Sequence, residues 1–290
     1  MTDPACARSW GTEPTLRRLR WDVGDALVVV PVMAGMERRY PPDAAATQVA
    51  AWLDVAASTG MPVDPRGWWE APLASSHPAC LAVKAGQEQG PEAGARLLRG
   101  LREGIACLRR KLDTTEALVE EARAAGLDAA RFRVDLASSA AVEAFGADLE
   151  AVRAWGAESP ALVLGDGAVV SLLAPYEEVR GAVEGAARRA GAPERPEVLG
   201  QAGATGERPE VLGPPGTGSD GPGVGARRPA PAARPSPLEA LARFGRLATP
   251  ELEAVCARPG PPLLAELWAL AAEWRVRPVR VLTGELWEVA

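Results

Sequence analysis

One cysteine stands at a place where its thiol could do chemistry. Cys6 lies in the segment DPACARSW, residues 3–10, immediately before a predicted helix. Free backbone N–H groups and the helix dipole stabilise a thiolate at a helix N-terminus, and the nearby Arg8 adds positive charge. A stabilised thiolate is a nucleophile at neutral pH. Placement alone does not decide between this interpretation and an inert cysteine near a frayed terminus.

The other cysteines and the single histidine offer less chemistry. Cys80, Cys107 and Cys256 each fall in a predicted helix among apolar neighbours, and cysteine is one of the most buried residue types. No two cysteines have CxxC spacing, and one histidine leaves few metal ligands. We therefore expect neither a disulfide framework nor a metal site.

Composition restricts the partners and the location. The chain has 290 residues, of which 47% are hydrophobic, and its net charge is −6. An acidic balance disfavours nucleic acid or an anionic membrane as the main partner. No stretch approaches the roughly 20 apolar residues that span a bilayer, and the N-terminal sequence lacks a signal-peptide pattern. These features predict a cytoplasmic protein.

The elements that must position Cys6 alternate between helix and strand. Hydrophobic spacing predicts a helix, then a short buried strand, a long alanine-rich helical block, a hairpin around an Asp-Gly turn and a last helix. These elements are Thr12 to Val23, Ala26 to Met33, Asp43 to about Arg153, Ala161 to Leu164 with Val169 to Leu173, and Pro175 to Ala190. This order is typical of an α/β domain over residues 1–190.

Four separated motifs resemble one known family. They are TDPACARSWGTEPTLRRL at residues 2–19, VVVPVMAGM at 28–36, SSHPACLAVK at 75–84 and SPALVL at 159–164. Together they are similar to the DsbA-like thioredoxin-fold family, which includes the FrnE-type and Spx-adaptor (YjbH-type) proteins. Members typically carry D-P-x-C-x-x-[CS]-W-x-x-E-P at the first motif. The resemblance covers about residues 1–190.

The resemblance implies a thioredoxin-like fold with a large helical insertion at about 43–153. That fold begins with a central strand before the cysteine loop, whereas only Met1 to Pro4 precede Cys6 here. Either the true start lies upstream or the strand is absent. Its absence would leave internal strand edges unpaired, at a cost in unmade hydrogen bonds.

The resemblance also assigns the chemistry at Cys6. Cys6 corresponds to the attacking thiol, and Ser9 takes the position of the resolving cysteine, which makes the site a monothiol CxxS. A dithiol releases its substrate when the second thiol attacks the mixed disulfide, and serine cannot do so. Ser9 could instead donate a hydrogen bond to the Cys6 thiolate. Cys80 is the strongest candidate among the other thiols to act on Cys6.

Four further residues are expected to contact a substrate. Pro160 corresponds to the family's cis-proline, whose loop faces the thiol and pairs with extended substrate backbone, and Ser159 precedes it. An ordinary strand-start proline is the alternative for Pro160. Trp10 and His77 complete the set. His77 is interpreted either as a proton shuttle or as a partly buried histidine beside Pro78.

A linker and a small module follow the first domain. Residues 191–235 are rich in glycine and proline and contain the repeat ERPEVLG, which predicts a disordered linker. Residues 236–290 predict three helices and a hairpin, a winged-helix-like module in which Trp268, Trp274 and Trp287 fill the core. The module lacks a basic face, so we expect it to bind a protein rather than DNA.

Two functions remain open after these arguments, with a third less favoured. The first is a DsbA-family thiol-disulfide oxidoreductase that works through Cys6 alone, on a protein or small-thiol substrate, without a bound cofactor but with glutathione or another small thiol as co-substrate. The second is a non-catalytic adaptor of the YjbH type with a degenerate groove. The third, a glutathione-dependent isomerase, is disfavoured because those enzymes usually carry serine at the first motif position.

Overall fold

A computed structural model describes residues 1–24, 27–191 and 234–290, and within these ranges the chain is mostly helical. The helices are α1 Ala7–Gly11, α2 Glu13–Val23, α3 Ala44–Thr59, α4 Gly67–Glu70, α5 His77–Gln87, α6 Pro91–Ala106, α7 Thr115–Ala124, α8 Ala129–Leu136, α9 Ser139–Trp155, α10 Tyr176–Gly191, α11 Pro237–Phe244, α12 Thr249–Cys256 and α13 Gly260–Ala272. The strands are β1 Ala161–Val163, β2 Val169–Ser171, β3 Leu247–Ala248, β4 Val276–Val281 and β5 Gly284–Val289. None of the described helices is long and apolar enough to cross a membrane.

Helices α3 to α9 occupy the predicted helical block. Along α6, Leu97, Leu101 and Ile105 recur every fourth residue and are buried, so the helix presents one apolar face to the core. The side chains of Asp128 and Ser138 cap α8 and α9 by accepting hydrogen bonds from backbone N–H groups of their first turns. The block therefore folds into helices because both the spacing of its apolar residues and its capping residues favour helices at these positions.

The predicted hairpin and the helix after it are confirmed. β1 and β2 pair antiparallel with Leu162 opposite Val170. Gly167, in the turn between them, has a φ of 81°, which glycine adopts without steric cost. Leu172, after β2, packs with Val183 of α10 in a small apolar cluster that also contains Leu19 of α2.

The predicted buried strand from Ala26 to Met33 is wrong. Ala26 lies outside the described residues, residues 27–32 belong to no strand, and Val28 is 75% exposed. Among the described residues of this segment, only Met33 forms a β-bridge, an isolated parallel one with Thr2. A strand needs a neighbour along its length to satisfy its backbone groups, and the neighbour here is two residues long.

That neighbour is Met1–Thr2, which lies between the hairpin and the segment before Met33. The Met1 amine donates to the Ala161 carbonyl at 2.6 Å, and the Ala161 N–H donates back to the Met1 carbonyl at 3.2 Å. On the other side, Thr2 N–H donates to the Val32 carbonyl at 2.9 Å. Two residues thus take the position of the expected central strand.

The helix predicted from Thr12 to Val23 begins earlier and is broken. α1 starts directly after Cys6, and Thr12 separates α1 from α2. The Thr12 hydroxyl donates to the Ser9 carbonyl at 3.0 Å, which satisfies a carbonyl at the end of the first helix.

The predicted linker, residues 191–235, falls almost entirely outside the described residues. Beyond it, the three predicted helices and the hairpin of the module are present, and β3 adds a short third strand in the order β3-β5-β4. A strand of two residues is too short to show the alternation of apolar and polar residues by which strands are predicted. The assignment of a winged-helix-like fold stays a prediction.

The tryptophans of the module do not all fill its core as predicted. Trp287 is fully buried, and Trp268 packs edge-on against it with ring centroids 5.0 Å apart. Trp274 is 86% exposed, so its prediction is wrong. It follows the end of α13 with a φ of 57°, and this turn directs the chain into β4 with the ring outside the core.

The module packs directly on the first domain. α12 lies against α2, and Leu286 of β5 joins the main apolar core. Beside it, Val63 N–H donates to the Thr283 hydroxyl at 2.8 Å. No sequence pattern predicts that the module and the first domain pack together.

Candidate functional site around Cys6

Cys6 is the N-cap residue of α1. Its backbone is extended, and its sulfur accepts a hydrogen bond from the Ser9 backbone N–H at 3.4 Å. The side chain of the arginine two residues later, Arg8, is about half exposed. Cys6 itself is buried, with 7% of its surface exposed. The geometry provides the backbone donor that the sequence predicted.

Ser9 lies in a fully buried position, whereas a resolving group must be able to reach the sulfur of a mixed disulfide. The Ser9 hydroxyl accepts a hydrogen bond from the Thr2 hydroxyl at 2.9 Å. Thr2 in turn accepts from the Arg102 guanidinium. The group that donates to the Cys6 sulfur is therefore the Ser9 backbone and not its hydroxyl.

A buried carboxylate organises the loop before Cys6. Asp3 accepts backbone N–H groups from Ala5 at 2.8 Å and Met36 at 2.9 Å. It also accepts the Ser76 hydroxyl at 2.8 Å and the Cys80 thiol at 3.4 Å. Asp3 thus ties the cysteine loop to the start of α5. Sequence reasoning did not assign this role, although the Asp-Pro pair in the first motif was a signal for it.

The loop of Pro160 lies beside α1. The Ser159–Pro160 peptide bond is cis, which is the predicted isomer. Arg8 of α1 forms an ion pair with Glu158 of this loop at 3.4 Å. The Ser159 hydroxyl is buried and has no hydrogen-bond partner within the described part of the chain. The structure therefore brings Cys6 and the Pro160 loop to one side of the domain.

The remaining two predicted contact residues are held by the protein itself. Trp10 is fully buried and its indole N–H donates to the Pro62 carbonyl at 3.0 Å. His77 is partly buried, donates from Nε2 to the Gly35 carbonyl at 3.1 Å and packs edge-on against Phe145. Their roles toward a substrate stay predictions, and Trp10 presents no surface to one.

The other thiols are poorly placed to act as nucleophiles. Burial, the charge of Asp3 and its hydrogen bond raise the pKa of Cys80. Burial and the charge of Glu103 raise the pKa of Cys107, and burial raises the pKa of Cys256 to about 11. All three side chains are buried. Among the described residues, no group of side chains is arranged to hold a metal ion.

A buried ion network begins directly behind Ser9. Arg102, which donates to Thr2, also pairs with Glu13 of α2. Arg99 pairs with the same Glu13 at 3.1 Å and with Glu251 of the C-terminal module at 2.7 Å. A continuous path of polar contacts thus joins the module to the cysteine site. Residues this far apart in sequence carry no pattern that predicts their contact.

The electrostatics of this network favour the ionised form of Glu13. Burial opposes the charge of Glu13, but Arg17, Arg102 and Arg99 outweigh it and lower the pKa of Glu13 to about 2. The guanidinium of Arg99 also lies 4.7 Å above the Trp10 ring. Through this contact with Trp10, the network packs against α1, the helix that begins directly after Cys6.

A family model described as thioredoxin, Thioredoxin_5, matches residues 1–171. The chain belongs to the DsbA-like thioredoxin-fold family. This confirms the resemblance that the four motifs indicated, and with it a thioredoxin-like fold for the first domain. The Cys6 loop and the cis-proline loop both lie in the matched region.

The curated relatives are adapters. The ClpXP adapter protein SpxH of Halalkalibacterium halodurans is 32% identical over 159 residues, 52% of each chain. The protein of the same name from Bacillus subtilis is 29% identical over 154 residues, 51% of this chain and 50% of the relative. The chain therefore spans about half the length of the curated relatives it matches.

A solved structure supports the fold. The cytosolic disulfide reductase DsbM of Pseudomonas aeruginosa superimposes with a TM-score of 0.54 at 21% identity, covering 65% of this chain and 97% of that one. At this identity the likeness concerns the fold alone. In this chain, the buried Ser9 follows Cys6 by three residues, and its assignment to the position of a second thiol stays a prediction.

Proposed function

We propose that this chain is an adaptor that binds another protein through the surface around Cys6 and delivers it to a ClpXP-type protease. The observation that carries the proposal is the similarity to curated relatives named as ClpXP adapters. The site agrees with it, because Ser9 cannot release a disulfide-bound substrate and Cys6 is 7% exposed.

The binding surface in this proposal is the rim where α1 meets the Pro160 loop. Arg8 and Glu158 stand on it as an exposed ion pair. Elsewhere on the domain, Trp69 of α4 is 62% exposed and offers apolar surface of the kind that anchors protein interfaces.

The experiment combines capture with degradation. Proteins cross-linked to the tagged chain in its source cells are identified, purified, and incubated with purified ClpXP with and without the chain. We expect at least one captured protein to be degraded faster when the chain is present, with Cys6→Ala as active as the wild type. A chain that accelerates no degradation of any captured protein contradicts the adaptor function.

A matched pair of charge reversals tests the surface. Glu158→Arg breaks the pair with Arg8 and reverses the charge of the rim, so we expect it to weaken partner binding. Glu143→Arg changes an exposed residue of α9 in the same way and serves as the control. Equal binding by both variants would place the partner elsewhere, for example on the C-terminal module, whose role as a docking site stays a prediction.

The second candidate is monothiol exchange at Cys6, which the Ser9 N–H bond to the sulfur favours. The Cys6 thiolate would attack a disulfide, form a mixed disulfide with one half and release the other half as a thiolate. A small thiol such as glutathione would then attack the mixed disulfide, regenerate Cys6 and leave with the bound half as a new disulfide.

This candidate has its own assay. Glutathione-dependent reduction of a small mixed disulfide should be lost in Cys6→Ser and retained in Cys80→Ala, whose thiol is buried. An inactive wild type, or a Cys6→Ser variant as active as the wild type, removes this chemistry and leaves the adaptor function unaffected. The predicted cytoplasmic location suits both candidates.

A further inference from the structure

The C-terminal module touches the first domain at two separate places, and both contacts lead to α1. At the first place, Glu251 of α12 is fully buried and its carboxylate accepts hydrogen bonds from Arg17 at 3.2 Å and from Arg99 at 2.8 and 2.7 Å. The same carboxylate accepts the Ala248 backbone N–H at 2.8 Å, at the start of α12. One carboxylate thus joins the module to two helices of the first domain, α2 and α6.

A series of contacts continues from Arg99 to α1. Arg99 donates to one carboxylate oxygen of Glu13 at 3.1 Å, and Arg102 donates to the other. Arg102 also donates to the Thr2 hydroxyl, which donates in turn to the Ser9 hydroxyl at 2.9 Å. The first contact of the module therefore ends at a buried residue of α1.

The second contact is made by the turn of the β4–β5 hairpin. Thr283 of this turn forms three hydrogen bonds with the Val63 backbone, in which its hydroxyl accepts the Val63 N–H at 2.8 Å and its own N–H and hydroxyl each donate to the Val63 carbonyl at 3.3 Å. The carbonyl of the preceding residue, Pro62, accepts the indole N–H of Trp10 at 3.0 Å. Trp10 is fully buried and lies in α1 directly after Ser9.

The short helix α1 receives both contacts on its buried side. It has five residues, and isolated helices shorter than about 12 residues are marginal in water, so its position depends on what packs against it. Ser9 and Trp10 face the contacts from the module, whereas Arg8 lies at the rim and pairs with Glu158. A displacement of the buried residues therefore moves the exposed residue of the same turn.

The charged part of the interface supplies geometry more than stability. Apolar contacts of the module, such as that of Leu286 in the main core, already provide burial. A buried charge network adds little net stability over apolar side chains of the same volume, but its members are satisfied in only one arrangement. The network at Glu251 is therefore suited to holding α1 in one position relative to the module.

We infer that Glu251 and Thr283 are positioning residues for the rim at Cys6, and that docking of the C-terminal module keeps this rim in its binding-competent form. The role toward a partner rests on the adaptor function proposed above, whereas the role toward α1 is independent of it. Because coupling between two sites is reciprocal, a partner bound at the rim strengthens the docking of the module by the factor by which docking strengthens partner binding.

The first test measures α1 in the full-length chain by amide hydrogen exchange, without any partner. Thr283→Val removes the hydroxyl and keeps the side-chain volume, whereas Thr283→Ser keeps the hydroxyl. We expect exchange of the Ser9 and Trp10 amides to be faster by about tenfold in Thr283→Val and unchanged in Thr283→Ser, because only the valine leaves the Val63 N–H without its acceptor. Equal exchange in the two variants would overturn the role of Thr283.

A second pair of variants tests Glu251 and separates a local effect from global unfolding. Glu251→Gln should accelerate exchange of the Ser9 and Trp10 amides by about tenfold or more. Leu118→Ala, at a buried residue of α7, lowers the stability of the first domain without touching the module contacts, and it should leave these amides unchanged. Equal acceleration in both variants would mean that the contact at Glu251 is merely structural.

The last measurement concerns the partner, for which the probe is a purified protein that passes the capture and degradation experiment above. We expect Glu251→Gln to bind it about 5- to 150-fold more weakly than the wild type, and Glu266→Gln, in a partly exposed pair with Arg258, to bind it equally well. Faster exchange in α1 with unchanged affinity would overturn the coupling and keep the adaptor function. A chain without any such partner loses the adaptor function, and the exchange results then decide the role toward α1.

Discussion

The two sides of the segment Met1–Val23 face different kinds of surface. On one side, α12 of the C-terminal module lies against α2 and places Glu251 within 3.2 Å of Arg17 and 2.7 Å of Arg99. On the other side, α2 and the start of the chain border the cavity between residues 27–32 and 161–166. One side is an interface with paired charges, and the other is a mostly apolar cavity.

The difference shows what each kind of surface requires. Buried charges are tolerated only when each has its partner, so the module side must be complete for the fold to be stable. An apolar wall loses only part of its burial when its partner strand is short. The site at Cys6 lies between the two, and Thr2 contacts both sides through Arg102 and the Val32 carbonyl.

The largest effect is expected on the module side. Glu251→Gln removes a fully buried charge that pairs with Arg17 and Arg99, so we expect a loss of about 3 kcal/mol in the free energy of unfolding. Urea denaturation followed by circular dichroism measures it. Glu120→Gln, in an exposed pair with Arg123, is the control and should change little. Equal stability of the two variants would mean that the interface contributes nothing to the fold.

An intermediate effect is expected from acid. Because the arginines hold the folded-state pKa of Glu13 at about 2, below the usual value of 4.5, its ionisation stabilises the fold above pH 4.5. That contribution is lost as the pH falls from 4.5 toward 2. Across this pH range, the midpoint temperature of thermal unfolding should fall steeply with decreasing pH for the wild type and less steeply for Glu13→Gln. Parallel curves would contradict the assignment.

The smallest effect is expected on the cavity side. Val28→Thr keeps the side-chain shape at a residue that is 75% exposed, so the free energy of unfolding should change by less than about 0.5 kcal/mol. Leu252→Ala, at a buried residue of α12, is the module-side counterpart and should cost about 2–5 kcal/mol. A larger loss from Val28→Thr than from Leu252→Ala would reverse the comparison.

Local pattern predicted much of the fold and of the candidate site. Three predicted features depend on residues that are neighbours in sequence, and the structure contains all three. They are Cys6 at the start of a helix, the hairpin around Gly167 and the helix that follows the hairpin. The cis bond before Pro160 was expected from the family motif. The strand at Ala26 to Met33 was wrong because its pattern describes only one strand, whereas a sheet also needs the partner on either side.

Contacts between distant residues could not be predicted. Glu251 meets Arg17 across 234 positions, and Asp3 meets Cys80 across 77. An isolated glutamate or arginine in a helix has the pattern of a solvated residue, and its burial depends on partners that arrive only on folding. The exposure of Trp274 and the burial of Trp287 likewise depend on the turn after α13.

Four features could be predicted without the fold: the family, the helical block, a cysteine at a helix start and the serine three residues after it. These follow from residue type, spacing and local backbone preference. Tertiary packing, by contrast, sets which groups surround that thiol, how the C-terminal module packs on one side of α2, and which backbone groups Met1 and Thr2 pair with. Each of these depends on backbone and charged groups that find their partners only when distant segments pack together.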